Sequence, residues 1–263
     1  MSYTPKPDNS WAVRLNRWAL AWARHYLKIV LIPLAIFIVL PFVAPTLMLI
    51  GATAPAEVIY ALYRPFCHTF AFRSWFLYGQ QSVYPREAAR LGAALTYEAI
   101  LPSIMAQLNR LPPPDSPIPP DQWYAREFLG NPQLGYKVAV CQRDVAIYVG
   151  LLAGGLIYAI PRVRRQLRPV PLWLYVWLGL APIGIDGFSQ LLSGALWQVR
   201  ETTPTFRVVT GLLFGLMNAW LAFPYLEATA RETIHEIEAK FAKRAERLRQ
   251  KSAATPSPQR PRR

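Results

Sequence analysis

The sequence predicts an all-α membrane protein: a bundle of four transmembrane helices with an extracytoplasmic helical insertion and amphipathic cytoplasmic ends. Three observations carry this. Long uncharged apolar runs recur, and 53% of the 263 residues are hydrophobic, with a mean hydropathy of +0.16. Basic residues cluster beside those runs, giving a formal net charge of +14. Tryptophan (9) and tyrosine (13) are abundant, as expected where rings line a membrane–water boundary. A basic excess next to apolar runs points to anionic headgroups and topology, so no nucleic-acid partner is expected.

Residues 1–28 hold Lys6, Arg14, Arg17, Arg24 and Lys28 against Asp8. Trp11, Leu15, Trp18 and Trp22 recur at steps of three and four, which predicts a basic amphipathic helix lying in the headgroup plane. The first span follows at about 29–53, in an uncharged run from Ile29 to Ala56 interrupted by Pro33, Pro41 and Pro45. Ala52-Thr53-Ala54 is faintly like a leader cleavage site, but the run is too long for a signal core, so a retained anchor is expected.

An outer insertion covers 57–140. It reads as a helix to about Tyr63, a turn at Pro65, and an aromatic interfacial segment to Gly79. A helix is expected within Arg86–Arg110, from Leu91, Leu95, Ile100, Ile104 and Leu108. Re-entry of 91–109 into the membrane is the disfavoured alternative. A proline-rich loop from Leu111 to Pro120 cannot be helix or sheet interior, and a short helix over Trp123–Phe128 ends at Gly130-Asn131-Pro132.

The second span, about 144–161, contains Gly150 and Gly154, a small-residue face for close helix contact. Arg162, Arg164, Arg165 and Arg168 follow it without an acid. The third span, about 171–197, is interrupted by Asp186, and the fourth, about 207–227, carries Gly211 and Gly215. A charged helix over 227–251 is expected, supported by pairs such as Glu236–Lys240, then a disordered basic tail over 252–263.

Orientation follows from charge. Short arginine-rich loops stay cytoplasmic. Placing 162–168 inside puts both termini inside as well, so three basic segments agree on one side of a plasma membrane. Anionic lipid headgroups are the expected partners there, with a membrane-protein partner or a second copy of the chain. Cys67, His68, Arg73, Cys141, Arg143, Asp144, Glu201 and Arg207 then fall outside. Asp186 lies in the outer part of its span, with Gln190 one turn on.

These residues form the candidate polar cluster. For the two cysteines three readings stand open. A Cys67–Cys141 disulfide suits an oxidising outer side. A metal site of Cys67, His68, Cys141 and Asp144 offers sulfur, nitrogen and oxygen donors that suit zinc, with Cys141 and Asp144 spaced for one turn. The third is a pair of buried free thiols, with thiolate chemistry favoured at Cys141 by a helix start and Arg143. A carboxylate in a span demands a partner, and Arg143 or Arg207 is the natural one for Asp186. Nucleotide loops, serine-hydrolase elbows and zinc-protease helices are absent from the sequence. A scaffold or accessory subunit, a metal- or thiol-dependent membrane enzyme, and a small transporter using Asp186 are the three functional readings. The residues do not decide whether the chain is an enzyme.

Three ordered blocks resemble a known family. Ile59 to Tyr63 leads to Cys67-His68, Arg73-Ser74 and Phe76-Leu77-Tyr78-Gly79; Val140 to Gly150 contains Cys141-Gln142-Arg143-Asp144; Pro182 to Gly187 precedes Gln190, Glu201-Thr202, Arg207 and Thr210-Gly211. Together they resemble the prokaryotic membrane-protein family called domain of unknown function 2085. The resemblance implies an integral membrane protein with no assigned activity. The roughly 60 residues between the first two blocks depart from the family, as does Asp144, where some relatives carry a further cysteine.

Overall fold

The computed structural model describes residues 11–92, 95–193 and 200–254. Lys6, Asp8, the end of the third predicted span (194–197) and most of the expected tail lie outside the described residues. The chain is mostly helical. It divides into two compact units, one of residues 1–30 with 224–263, the other of residues 31–223.

In the first unit, the beginning of α1 (Trp11–Leu49) packs beside the end of α8 (Pro204–Ala254). Val13, Ala23, Ala230 and Ile237 are buried, while Trp11, Leu15, Trp18 and Trp22 form an exposed stripe. Tyr26 donates to Glu227 (2.7 Å), and Arg24 pairs with Glu238 (2.7 Å). The amphipathic start and the first apolar run are one helix, as are the last apolar run and the charged helix after it. At 1.5 Å per residue, α1 and α8 measure about 58 and 76 Å, both beyond the roughly 30 Å hydrocarbon core.

The second unit holds the other helices and a small sheet. α2 (Thr53–Tyr63) is followed by β1 (Ser74–Leu77), α3 (Tyr97–Leu108), α4 (Pro120–Glu127), β2 (Gly130–Asn131) and β3 (Gly135–Cys141). Then come α5 (Gln142–Ala159), α6 (Pro161–Gln166) and α7 (Leu172–Leu191), which contains a π-helical stretch at Tyr175–Leu180. α1, α7 and α8 are the described helices long and apolar enough to cross a membrane. α5 has 18 residues but spends its first turn on Gln142, Arg143 and Asp144.

The insertion is not purely helical. β1, β3 and β2 form an antiparallel sheet in the order β1-β3-β2, with Ser74 opposite Cys141 and Phe76 opposite Lys137. Six of the seven residues of β3 are buried, so its sequence lacks the alternation that marks a half-exposed strand. Gly135 opens the strand at φ +82, where a Cβ would lie 2.4 Å from Leu77 O, so only glycine fits. Phe72, Phe76, Tyr84, Tyr97, Ile104 and Phe128 make the core of this module.

α5 and α8 meet backbone to backbone. A Cβ on Gly150 would lie 2.5 Å from Leu212 O, and one on Gly215 would lie 2.1 Å from Ile147 O. Gly154 faces Ala219, and Gly211 faces Arg143 O. Small residues on both helices allow this approach, which tail-like side chains would prevent. It brings the first turn of α5 beside the first turns of α8.

Candidate functional site: a dithiol beside a buried ion-pair network

Cys67 leaves α2 through a turn in which its N–H donates to Tyr63 O (3.2 Å). Cys141 arrives from the other direction as the last residue of β3 and the N-cap of α5. Tyr60 ties the two together by donating its hydroxyl to Lys137 O, and Tyr63 anchors α2 to α1 through Phe37 O (2.8 Å). The sulfurs end 2.7 Å apart, both thiols free and buried. Cys67 Sγ accepts two backbone N–H groups, from Thr69 (3.4 Å) and Cys141 (3.3 Å). Such donors favour a negative sulfur.

The thiols titrate as a pair. Cys141 is pushed down because Cys67 donates its S–H to it, and Arg73 adds to the effect. Cys67 is pushed up because it keeps the shared proton, with burial and Asp144 acting in the same direction. The first proton therefore leaves the pair more readily than the second. Cys141 also stands at a helix N-terminus with no side-chain cap, where the dipole favours a thiolate.

Asp144 completes a group of three: one ligand atom each from Cys67, Cys141 and Asp144 lies within 4.8 Å of the others. His68 does not join it. It is exposed and stacks on Phe70 (5.4 Å between centroids), because the chain turns at Thr69 (φ +53) and sends neighbouring side chains apart. The donor set is thus two sulfurs and an oxygen, which fits zinc with a fourth position left for another ligand. Two buried polar atoms near Cys141 lack partners, Ser74 Oγ and Gln142 Oε1. Ser74 lies opposite Cys141 in the sheet, and Gln142 Nε2 donates to Ser74 O (3.2 Å). Orphaned oxygens beside the donor set are consistent with a ligand or water there.

Lys137 supports this corner and was not a candidate from the sequence. It is fully buried, and its ammonium donates to Thr69 O (2.7 Å), Arg126 O (2.9 Å) and Ala125 O (3.2 Å). The last two carbonyls belong to the final turn of α4, the negative end of its dipole. Burial lowers the ammonium to about 7. Lys137 so fixes the Thr69 turn whose N–H reaches Cys67. Its signal in the sequence is a single charge within the run Gly135-Tyr-Lys-Val-Ala-Val-Cys141.

The second part of the site is a network around two carboxylates. Asp186 is 1% exposed. It pairs with Arg143, accepts from Thr202 Oγ1 (2.6 Å) and lies 3.6 Å from Arg200. Gln190 donates to Thr202. Glu201 pairs with Arg207 and with Arg73 (3.1 and 3.2 Å), and Arg207 also donates to Thr202 O (3.2 Å). Arg73 follows the 67–70 turn and precedes β1, so it links the thiol corner to the network. Burial lowers its guanidinium, opposed by the sulfurs and Asp186. Two further members lie outside the candidate cluster: Thr202, which stands in the third block of the sequence, and Arg200, an arginine beside Glu201 with no pattern of its own.

Residues 132–221 match the family described as "Predicted membrane protein (DUF2085)". An uncharacterized protein of Methanocaldococcus jannaschii is 31% identical over 90 residues, covering 34% of this chain and 54% of that protein. The chain thus spans about half the length of the curated relative it matches. No solved structure matches the chain. The family match includes Cys141, Arg143, Asp144, Asp186, Gln190, Glu201 and Arg207, and leaves Cys67, His68 and Arg73 outside.

Proposed function

We propose that this membrane protein is a multi-pass scaffold or accessory subunit carrying a thiolate metal centre on its outer face. The observation that carries the proposal is the placement of Cys67 Sγ, Cys141 Sγ and an Asp144 oxygen within 4.8 Å of one another. Cys67 and Cys141 would hold the ion as thiolates and Asp144 as a carboxylate. Zinc fits these donors, and when bound it supplies a redox-inert Lewis acid and a tie between the 67–70 turn and α5. The chain's own residues do the rest: Thr69 N–H and Arg73 favour negative sulfur, and Lys137 holds the turn.

Four spans, formed by α1, α5, α7 and α8, are proposed from the apolar runs and the charges beside them. The basic segments at 1–28, 162–168 and after Glu227 favour cytoplasmic termini in a prokaryotic plasma membrane, with anionic headgroups against them. The close α5–α8 crossing supports a scaffold over a transporter, because backbones in contact leave little room for a polar path between them. A partner membrane protein or a second copy of the chain belongs to this reading.

The test is metal analysis of the purified protein with thiol counting. One zinc per chain is expected, lost in Cys141→Ser, with both thiols unreactive until a chelator is added. Two reactive thiols and no metal would sink the proposal. The 2.7 Å sulfur contact favours one further reading, a Cys67–Cys141 bridge. That reading requires no free thiol before reduction and two afterwards.

A further inference from the structure

We propose that the ion-pair network is also an anion site, with Arg143 and Arg200 as ligands for a phosphate oxyanion at the outer rim. The inference stands apart from the thiol centre. Among the described residues of the network, four guanidiniums (Arg73, Arg143, Arg200 and Arg207) surround two carboxylates (Asp186 and Glu201). The carboxylate oxygens are already engaged. Asp186 Oδ2 takes Arg143, and Oδ1 takes Thr202 and faces Arg200. Glu201 Oε1 takes Arg207 and Arg73, and Oε2 takes Arg73 again. Positive charge and N–H donors are therefore in surplus.

The surplus is localised. Arg143 Nε is buried with no acceptor. A buried guanidinium N–H without a partner is costly, and an anion's oxygen is the group that removes the cost. Arg200, donating to Ser189, keeps 43% of its side chain exposed, so the network opens to solvent on that side. Arg143 also lies in the first turn of α5, whose uncapped N–H groups add positive potential. Excess positive charge near a low-dielectric membrane edge is unfavourable until an anion neutralises it. Guanidinium forks match phosphate oxygens geometrically. The source of that phosphate is either a lipid headgroup or a free anion.

Two binding arms separate the sources. In one, protein reconstituted into equimolar phosphatidylglycerol and phosphatidylcholine vesicles is extracted, and retained phosphatidylglycerol is counted by native mass spectrometry. In the other, delipidated protein is titrated calorimetrically with inorganic phosphate. One site per chain is expected in at least one arm, the first identifying a headgroup and the second a free anion. Arg200→Gln should weaken binding by about tenfold or more, the value of one charge-assisted contact, and Arg200→Lys by less. Arg143→Lys keeps a cation beside Asp186 while removing Nε, and should weaken binding severalfold in a protein that still folds. Zinc content should be unchanged in Arg200→Gln, so loss of the anion site and loss of the metal centre read out separately. Binding in neither arm, or binding equal in wild type, Arg200→Gln and Arg143→Lys, overturns the proposal.

Discussion

Replacing Gly215 with alanine tests the helix crossing that brings the first turn of α5 against α8. The new Cβ would sit 2.1 Å from Ile147 O and 2.9 Å from Leu151 N. Carbon and oxygen pack at about 3.3 Å or more, so α5 and α8 must separate by roughly 1 Å. That gap would propagate along the crossing, because Gly150 and Gly211 make backbone contacts of the same kind on either side. Overpacking of this sort costs about 1–3 kcal/mol, and Gly215→Val should exceed it. For a chain of this size each kcal/mol lowers the melting temperature by about 2–4 °C. Thermal unfolding of the detergent-solubilised protein should therefore fall by about 2–12 °C. Gly184→Ala is the control: its Cβ meets nothing within 4 Å, and alanine is the better helix former, so stability should hold or rise slightly. The separation would also move Arg143, whose carbonyl lies against Gly211, so metal retention should drop with stability. A Gly215→Ala protein as stable as wild type would refute the crossing.

Three further outcomes follow from the site. Asp186→Asn leaves Arg143 without its buried partner and should cost about 3–5 kcal/mol, whereas Arg143→Gln with Asp186→Asn should recover part of the loss; additive losses in denaturant titrations would show that the two do not interact. Lys137 is held at about 7 when folded, below its ordinary 10.5, so the cost of burying its charge is fully present below pH 7 and is relieved as pH rises towards 10.5. Stability should accordingly increase over that window in the wild type and lose this slope in Lys137→Met, which should also be less stable at pH 9, where the neutral amine still offers two N–H donors to the three carbonyls and methionine offers none; an identical pH slope in both proteins would rule out the assignment. If Cys67 and Cys141 hold the proposed zinc, chelation should loosen the 67–70 turn, seen as faster amide exchange at Thr69; unchanged exchange would argue against a metal tie.

The fold of this chain is legible in its residues where the signal is local. Uncharged runs, the arginines of 162–168 and the glycine pairs at 150/154 and 211/215 announce apolar helices and close-packing faces through composition and spacing alone. Asp186 stands out because a carboxylate in an apolar run demands a cation, and Arg143 stands beside it in the fold. Other parts were opaque for physical reasons. β3 is buried on both faces and so shows no period of two, and its partner β1 lies more than fifty residues earlier. The reach of α1 and α8 beyond the apolar runs reflects helical continuity across a polarity change, which hydropathy cannot register.

By itself, then, the sequence determined the membrane character of the chain, the positions of its apolar helices and the residues able to carry charge or ligate metal. The tertiary structure decided which of them meet. Cys67 and Cys141, 74 positions apart, touch because an antiparallel pairing lays Ser74 opposite Cys141. His68, adjacent in sequence, is excluded because the chain reverses at Thr69. Lys137 became a buried bolt because three carbonyls from two distant segments converge on it. Such assignments depend on long-range geometry, and residue type encodes only the capacity for them.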